Sequence, residues 1–259
     1  MNELTYVRAN PTGNITLLVT SFVDRKDQPR VSAEMMKALE CEQVGFIENA
    51  GKSTALCRLQ MMGGEFCGNA TVSAAALMAR KQGIAKGKNM TVPLEVSGCG
   101  EVLNCRVTNC GEYDTGTVKM PRVSGIEETP LGMLVRMDGI AHLIVTEKYD
   151  AEKAEKTLRC VANSLEEDAC GLLQWVDGFM TPLVYVKKTG SMVWETSCAS
   201  GSTAIGCVAA AQVREKITVT EVRQPGGKLR VDARLENGTV TEAFLTGEVR
   251  LMEEGLFQY

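Results

Sequence analysis

Short apolar runs separated by glycine and polar positions organise the first part of the chain. The runs are rich in β-branched and aromatic residues, a composition typical of strands, and they lie at 15–20, 43–48, 55–61, 90–97 and 101–108. Residues 32–40 have helical apolar spacing instead, with Ser32 as the expected N-cap. Residues 68–82 are apolar around nearly the whole helical circumference, which indicates a buried central helix. The turn-rich segment 109–130 is predicted to be a junction.

The second part of the chain repeats this plan. Its strands are predicted at 141–146, 171–176, 181–187, 217–223, 228–233 and 239–246. An amphipathic helix is expected at about 151–165, and a second helix of small residues at 201–213. The sequence "QPGG" at 224–227 is typical of a hairpin turn.

The repeated plan predicts an α/β (α+β) fold of two pseudo-symmetric halves, each a curved sheet wrapped around one central helix. Residues 1–112 would form the first half and residues 113–249 the second, with the final strand, 250–259, free to return to the first half. The active site is expected in the cleft between the halves. A dinucleotide-binding Rossmann fold is not indicated, because no Gly-x-Gly-x-x-Gly follows the first strand.

The amino-acid composition limits which kinds of molecule the protein is expected to bind. Hydrophobic residues make up 44% of the 259 positions and charged residues 23%, and the net charge is −4. Lys and Arg are scattered, so neither nucleic acid nor an anionic membrane surface is expected as a partner. The N-terminal segment lacks the features of a secretory signal, and no apolar run is long enough to span a bilayer. We therefore expect a cytoplasmic protein.

The cysteines and the histidine limit the chemistry. The chain has ten cysteines, none of them in C-x-x-C spacing, and a single histidine, His142. Free thiols are therefore expected, and a structural zinc site is not. We interpret most of the thiols, Cys41, Cys57, Cys160 and Cys207 among them, as small core residues. His142 lies in the apolar run "AHLIV" and is interpreted as a packed core histidine.

Two segments share an unusual arrangement. In "GGEFCGNATVSAAAL" and "WETSCASGSTAIGCVAA", a cysteine stands immediately before a helix of small residues, with a glutamate a few positions earlier. Cys67 and Cys198 are 131 residues apart, about half of the chain. A helix start carries free N–H groups and the positive end of the helix dipole, which bind anions and lower the pKa of a thiol. Each segment therefore offers a nucleophile or base and half of an anion site.

Two such sites facing each other would hold one carboxylate and place a sulfur on each side of its α-carbon. That geometry suits inversion of an amino acid, in which a thiolate removes the α-proton on one face and a thiol returns a proton on the other. The N–H groups would stabilise the developing enolate-like charge. No metal, pyridoxal phosphate or nucleotide cofactor is needed.

Other functions remain open from the residues alone. Both cysteines could fill space at helix starts, or the pair could cycle through a disulfide in a thiol redox protein. Redox pairs are usually close in sequence, and these are not. A third alternative is an amino-acid-binding protein without catalysis.

The strings "CGNAT", "CASGS" and "PTGN" resemble the two cysteine motifs and the early glycine-asparagine of the diaminopimelate epimerase superfamily of cofactor-independent racemases. The resemblance covers essentially the whole chain and implies Cys67 and Cys198 as catalytic residues and Asn14 as a contact to substrate. Glu42, at an expected strand edge near the pocket, could bond an imidazole, orient a thiol or be a surface acid. The candidate substrate-binding residues are Asn14, Glu42, Gly68, Asn69, Glu195, Ala199, Ser200, Gly201 and Ser202.

Departures from diaminopimelate epimerase itself bear on the substrate. That enzyme has Asn-Pro-His where this chain has Ile140-Ala141-His142, and Glu-Arg-Gly where this chain has Thr189-Gly190 or Val193-Trp194. Those family residues hold the distal end of diaminopimelate.

A closer resemblance is to the histidine racemases of metallophore biosynthesis, through "CEQVGFIE", "EFCGNAT", "VSGC", "VWETSC" and "RQPGG". It implies histidine as the small-molecule substrate. Diaminopimelate or another amino acid with one centre is the alternative, and a homodimer is left open.

Overall fold

The computed structural model describes residues 3–188 and 190–259, so the prediction that involves Thr189 lies outside the described residues. The chain is mixed α+β, with strands predominating and four helices in the described ranges. This confirms the predicted fold class. It forms two compact units, one of the residues up to Lys119 together with Thr246–Tyr259, and one of Met120–Leu245.

The first unit is a ring of strands around one helix. Its elements are β1 (Glu3–Pro11), β2 (Thr16–Val19), α1 (Gln28–Ala38), β3 (Gln43–Glu48), β4 (Cys57–Met61), α2 (Gly68–Lys81), β5 (Asn89–Val96), β6 (Leu103–Asn109) and β7 (Asp114–Lys119). The strands neighbour one another in chain order, and β7 neighbours the long last strand, β16 (Thr239–Gln258). The ring closes because β16 also pairs with β1, from Pro11 opposite Val249 to Glu3 opposite Gln258. Helix α2 contacts strands on several sides of the ring.

The second unit likewise has one helix, α4 (Ala199–Val213), that contacts several of its strands. Its elements are β8 (Val123–Thr129), β9 (Gly132–Met137), β10 (Ile140–Val145), α3 (Ala151–Asn163), β11 (Ala169–Val176), β12 (Phe179–Val186), β13 (Ser191–Trp194), α4 (Ala199–Val213), β14 (Ile217–Gln224) and β15 (Gly227–Glu236). From β16 the strand order is β15, β14, β12, β11, β10, β9 and β8, and β13 pairs with β12. The hairpin predicted at "QPGG" is confirmed, since Gln224 is opposite Gly227.

Each helix lies in the crossover between two strands that run parallel, and in the last crossover β13 precedes the helix. Helices α1 and α2 join the parallel pairs β2–β3 and β4–β5, and helices α3 and α4 lie between the parallel pairs β10–β11 and β12–β14. Parallel neighbours require a long crossover, and a helix is the usual one. Consequently the segment that leads into a crossover helix lies at the end of a strand, and both Cys67 and Cys198 occupy such segments.

Small residues allow the two central helices to lie close to their strands. A Cβ on Gly116 of β7 would be 2.8 Å from the Val72 Cβ of α2, and a Cβ on Gly206 of α4 would be 2.5 Å from Val231 Cγ1. Eleven of the 14 residues of α2 and ten of the 15 residues of α4 are buried. Their hydrophobic patterns therefore indicate burial on all faces, as the sequence predicts.

Three boundaries differ from the sequence predictions. The helix predicted at 32–40 begins at Gln28, because Pro29 is compatible with the first helical turn; Ser32 is not its N-cap but lies inside it and donates to the Gln28 carbonyl at 2.7 Å. The segment predicted as a junction contains β7 and β8. The first unit extends past 112 to Lys119, since β7 pairs with β6.

The prediction that Cys160 is a core residue is wrong, because it lies on the solvent face of the amphipathic helix α3, whereas Cys57 and Cys207 are buried.

Among the residues that the structure describes, no helix combines the length and apolar composition that crossing a membrane needs.

Candidate active site

Cys67 is the N-cap of α2. Its backbone is extended (φ −133°, ψ 113°), and its sulfur accepts a hydrogen bond from Ala70 N at 3.4 Å. The carbonyl of Cys67 accepts from Thr71 N at 2.9 Å and from the Thr71 hydroxyl at 2.7 Å. The sulfur therefore lies at the helix start, where N–H groups without helical partners favour a negative charge.

Cys198 is the N-cap of α4 with nearly the same local geometry. Its backbone has φ −117° and ψ 108°, and its sulfur accepts from Gly201 N at 3.4 Å. Its carbonyl accepts from Ser202 N at 3.0 Å and from the Ser202 hydroxyl at 2.8 Å. A Cβ on Gly201 would lie 3.2 Å from the Cys198 sulfur, so this position suits glycine.

Three polar side chains form a hydrogen-bonded row that ends at Cys67. The Cys67 thiol donates to Gln43 Oε1 at 3.0 Å, and Gln43 Nε2 donates to Asn14 Oδ1 and, at 2.8 Å, to the Thr16 hydroxyl. Asn14 Nδ2 in turn donates to Glu42 Oε2 at 2.6 Å. Glu42 is partly buried rather than a free surface acid. In this structure both ends of the Asn14 amide bond to protein groups.

Cys198 has a different set of neighbours. Its thiol hydrogen-bonds to Glu195, and the Ser200 hydroxyl lies 3.5 Å from its sulfur. Burial raises the pKa of the Cys198 thiol well above its ordinary value, and the Glu195 carboxylate raises it further, against the lowering by Ser200 and Gly201. The helix start alone predicts a lowered thiol pKa, which is wrong for Cys198 because the cost of burying a thiolate is the larger effect.

His142 is a buried core residue, as predicted, and it also contacts this half-site. Its side chain is fully buried in β10, and its Nε2 is 2.9 Å from the Ser200 hydroxyl. Burial lowers the pKa of His142 to about 3, so the ring is neutral. Its Nδ1 has no hydrogen-bond partner and lies against Gly171, where an added Cβ would be only 2.2 Å away. Nδ1 is therefore best left unprotonated, with Nε2–H donating to Ser200.

The buried neutral histidine predicts a specific loss of stability in acid. Its folded pKa lies below the unfolded value of about 6.5, so the unfolded chain binds a proton that the folded chain does not. This stability is fully present above pH ~6.5 and falls as pH decreases towards ~3. We expect the free energy of unfolding of the wild type to fall more steeply than that of His142→Gln, by about 1.4 kcal/mol per pH unit. Urea denaturation at several pH values measures both slopes, and equal slopes would contradict a buried neutral His142.

The structure places the remaining candidates in the first turns of the two helices. Gly68 and Asn69 are buried in α2, and Ala199, Ser200, Gly201 and Ser202 form the start of α4. Two residues beside the cysteines were missed by the sequence analysis. Gln43 accepts from the Cys67 thiol, and Gln224 Oε1 accepts from Cys198 N at 2.8 Å. Both lie in the quoted strings "CEQVGFIE" and "RQPGG", which was the available signal.

Residues 3–188 and 190–259 contain no group of three or more His, Cys, Asp or Glu side chains that could hold a metal ion.

The fold is that of known racemases and epimerases. The crystal structure of a hydroxyproline epimerase from Agrobacterium vitis, with bound trans-4-hydroxy-L-proline, matches with a TM-score of 0.66 at 10% identity, covering 98% of this chain and 92% of that one. At this identity the match establishes the architecture alone.

The chain belongs to the histidine racemase CntK N-terminal domain family, which matches residues 3–257. A histidine racemase of Fusobacterium nucleatum is 37% identical over 97% of this chain and 95% of the relative. A histidine racemase of Staphylococcus aureus is 26% identical over 96% of both chains. The protein is therefore an amino-acid racemase, an isomerase, as the sequence analysis predicts.

Proposed function

We propose that this protein interconverts L- and D-histidine by direct proton transfer at the α-carbon, with Cys67 and Cys198 as the two acid–base groups and no cofactor. The observation that carries the proposal is the repeated half-site. In each unit a buried helix begins at an N-cap cysteine whose sulfur accepts a helix N–H bond. A member of the histidine racemase family with two such sites is suited to two-base chemistry.

In the proposed reaction, one sulfur acts on each face of the same α-carbon. A thiolate takes the α-proton, so the C–H bond breaks, an S–H bond forms and the electron pair moves into the carboxylate. The thiol on the other face then gives its proton to the α-carbon and becomes a thiolate. N–H groups of the first turns, including those of Gly68, Asn69, Ala199 and Ser200, would bind the carboxylate, and their contribution rises as its negative charge grows. Every bond change involves only thiols and substrate.

Glu195 supports this proposal on the Cys198 side. The Cys198 thiol hydrogen-bonds to Glu195 and has a raised pKa, so it holds its proton in the free protein. An ionised carboxylate can take that proton when the positively charged α-ammonium group of the substrate arrives and stabilises the thiolate. Glu195 would then be the group that generates the base.

The test is a panel of single L- and D-amino acids incubated with the protein in D₂O. We expect α-deuterium and the opposite enantiomer to appear with histidine, detected by NMR and chiral chromatography, and diaminopimelate to react poorly. Turnover of diaminopimelate without histidine would keep the chemistry and change the substrate. Binding of histidine without any deuterium exchange would contradict the proposal and favour an amino-acid-binding protein.

The same assay distinguishes a racemase from a thiol redox protein. A redox cycle would need a Cys67–Cys198 disulfide during turnover, so activity would require alternating oxidant and reductant. For the racemase we expect full exchange under constant reducing conditions, with reversible loss after oxidation.

A further inference from the structure

The row of side chains beside Cys67 has a defined hydrogen-bond direction. An ionised carboxylate can only accept hydrogen bonds, so Glu42 must receive the Asn14 NH₂ group, at 2.6 Å. With its NH₂ group committed to Glu42, Asn14 presents Oδ1 to Gln43 and accepts from Gln43 Nε2. Gln43 must then present Oε1 to Cys67. Glu42 thus fixes the orientation of both amides.

The reversed row is unfavourable. If both amides were turned over, the Asn14 carbonyl oxygen would face the Glu42 carboxylate at the 2.6 Å now occupied by a hydrogen bond. Two acceptors without a shared proton repel each other at this distance. The Thr16 hydroxyl reinforces the observed direction, because it accepts from Gln43 Nε2 at 2.8 Å and itself donates to the backbone carbonyl of Asn14 at 3.1 Å.

The oxygen that Gln43 presents to Cys67 favours a thiol over a thiolate. A carbonyl oxygen accepts from S–H but repels S⁻. It is also neutral and not basic enough to take the proton. Cys198 differs in this respect, because its thiol hydrogen-bonds to the Glu195 carboxylate, which can take a proton. The two half-sites share a backbone geometry but differ in the group that receives the thiol hydrogen.

We propose that the Glu42–Asn14–Gln43 row holds Cys67 as the thiol in the free enzyme. For the enantiomer whose α-hydrogen faces Cys198, Cys67 is then the first proton donor and Cys198 the first base. This inference rests on the proposed function for the roles of donor and base. Gln43 and Glu42 act through Cys67 and are positioning residues.

The proton transfers of the first turnover then follow a fixed order, and every proton has a donor and an acceptor. The Cys198 proton moves to Glu195, leaving a thiolate at Cys198. That thiolate takes the α-proton of the substrate as the C–H bond breaks, and Cys67 gives its proton to the opposite face. At product release Cys67 is a thiolate facing the Gln43 oxygen, and it regains a proton from solvent while Glu195 loses one.

The state of Cys67 can be measured in the free protein. Alkylation by iodoacetamide over a pH series, quantified on the peptide that carries Cys67, gives the apparent pKa of this thiol. Glu65 is the carboxylate closest to Cys67 in sequence, and its side chain lies near Gly63. The first turn of α2 has no acidic residue. The variants are Glu42→Gln and Asn14→Leu, with the exposed Glu40→Gln as a charge-matched control two residues away.

Both variants remove the constraint that Glu42 places on Gln43 through Asn14 and leave only the bond of Gln43 to Thr16. The Gln43 NH₂ group can then turn towards the sulfur. We expect each to lower the apparent pKa of Cys67 by about one unit, a tenfold rise in thiolate below that pKa, and Glu40→Gln to leave it unchanged. Asn14→Leu removes no charge, so a shift with Glu42→Gln alone would mean a through-space charge effect and would overturn the proposal. If Asn14→Leu does not fold, the Glu42→Gln shift is compared at low and high salt, and its loss at high salt would overturn the proposal in the same way.

An unchanged pKa in both variants would also overturn the proposal. These outcomes do not depend on turnover. If the wild type exchanges no α-proton of histidine, the proposed function fails, whereas the alkylation series still decides whether Glu42 and Asn14 hold Cys67 as a thiol.

Discussion

Replacement of Cys67 or Cys198 by serine is expected to lower the racemisation of histidine about a thousand-fold or more. An alcohol is a far weaker acid than a thiol and supplies almost no alkoxide near neutral pH, so the acid and the base are lost on that face of the substrate. Rates are measured by chiral chromatography from both enantiomers. Cys160→Ser is the matched control, because Cys160 is exposed on α3 and far in sequence from both helix starts.

The single variants should also be asymmetric. Each keeps one sulfur, which can still abstract the α-proton of one enantiomer or eliminate a good β-leaving group from it, but cannot complete the inversion. Deuterium exchange measured separately for L- and D-histidine should therefore be retained for opposite enantiomers in the two variants. Full racemase activity in either serine variant would contradict the two-base mechanism.

Glu195→Gln is expected to lower turnover about a hundred-fold at neutral pH. The amide cannot take the Cys198 proton, and burial, the largest cause of the raised pKa of this thiol, persists in the variant. Since the proton must then leave to solvent, the rate of the variant should rise with pH more steeply than that of the wild type. The measurement is kcat for histidine over a pH series.

Glu215→Gln is the control for this prediction, since it removes the same charge from an exposed position just after α4. The opposite result would also be informative. If Glu195→Gln is faster than the wild type, Glu195 acts only by raising the pKa of Cys198 and is not its proton acceptor.

The sequence by itself determined the local features of both half-sites. A run of small residues predicts a helix buried on all faces, and a cysteine directly before it predicts an N-cap sulfur; α2 and α4 have these properties. These predictions succeed because helix formation and capping depend on residues within a few positions of one another. The strand runs and the "QPGG" hairpin are local in the same sense.

Only the tertiary structure decided which residues surround each sulfur. Gln43 reaches Cys67 across 24 positions and His142 reaches Ser200 across 58, through strand pairings that no local pattern encodes. The direction of the pKa shift of the Cys198 thiol was predicted wrongly from the sequence, because the helix dipole is a local effect whereas burial is set by the whole core. The return of β16 to β1 is decided in the same way, since it joins the two ends of the chain. The sequence specifies which groups are present, and the packing of distant segments sets their protonation and their partners.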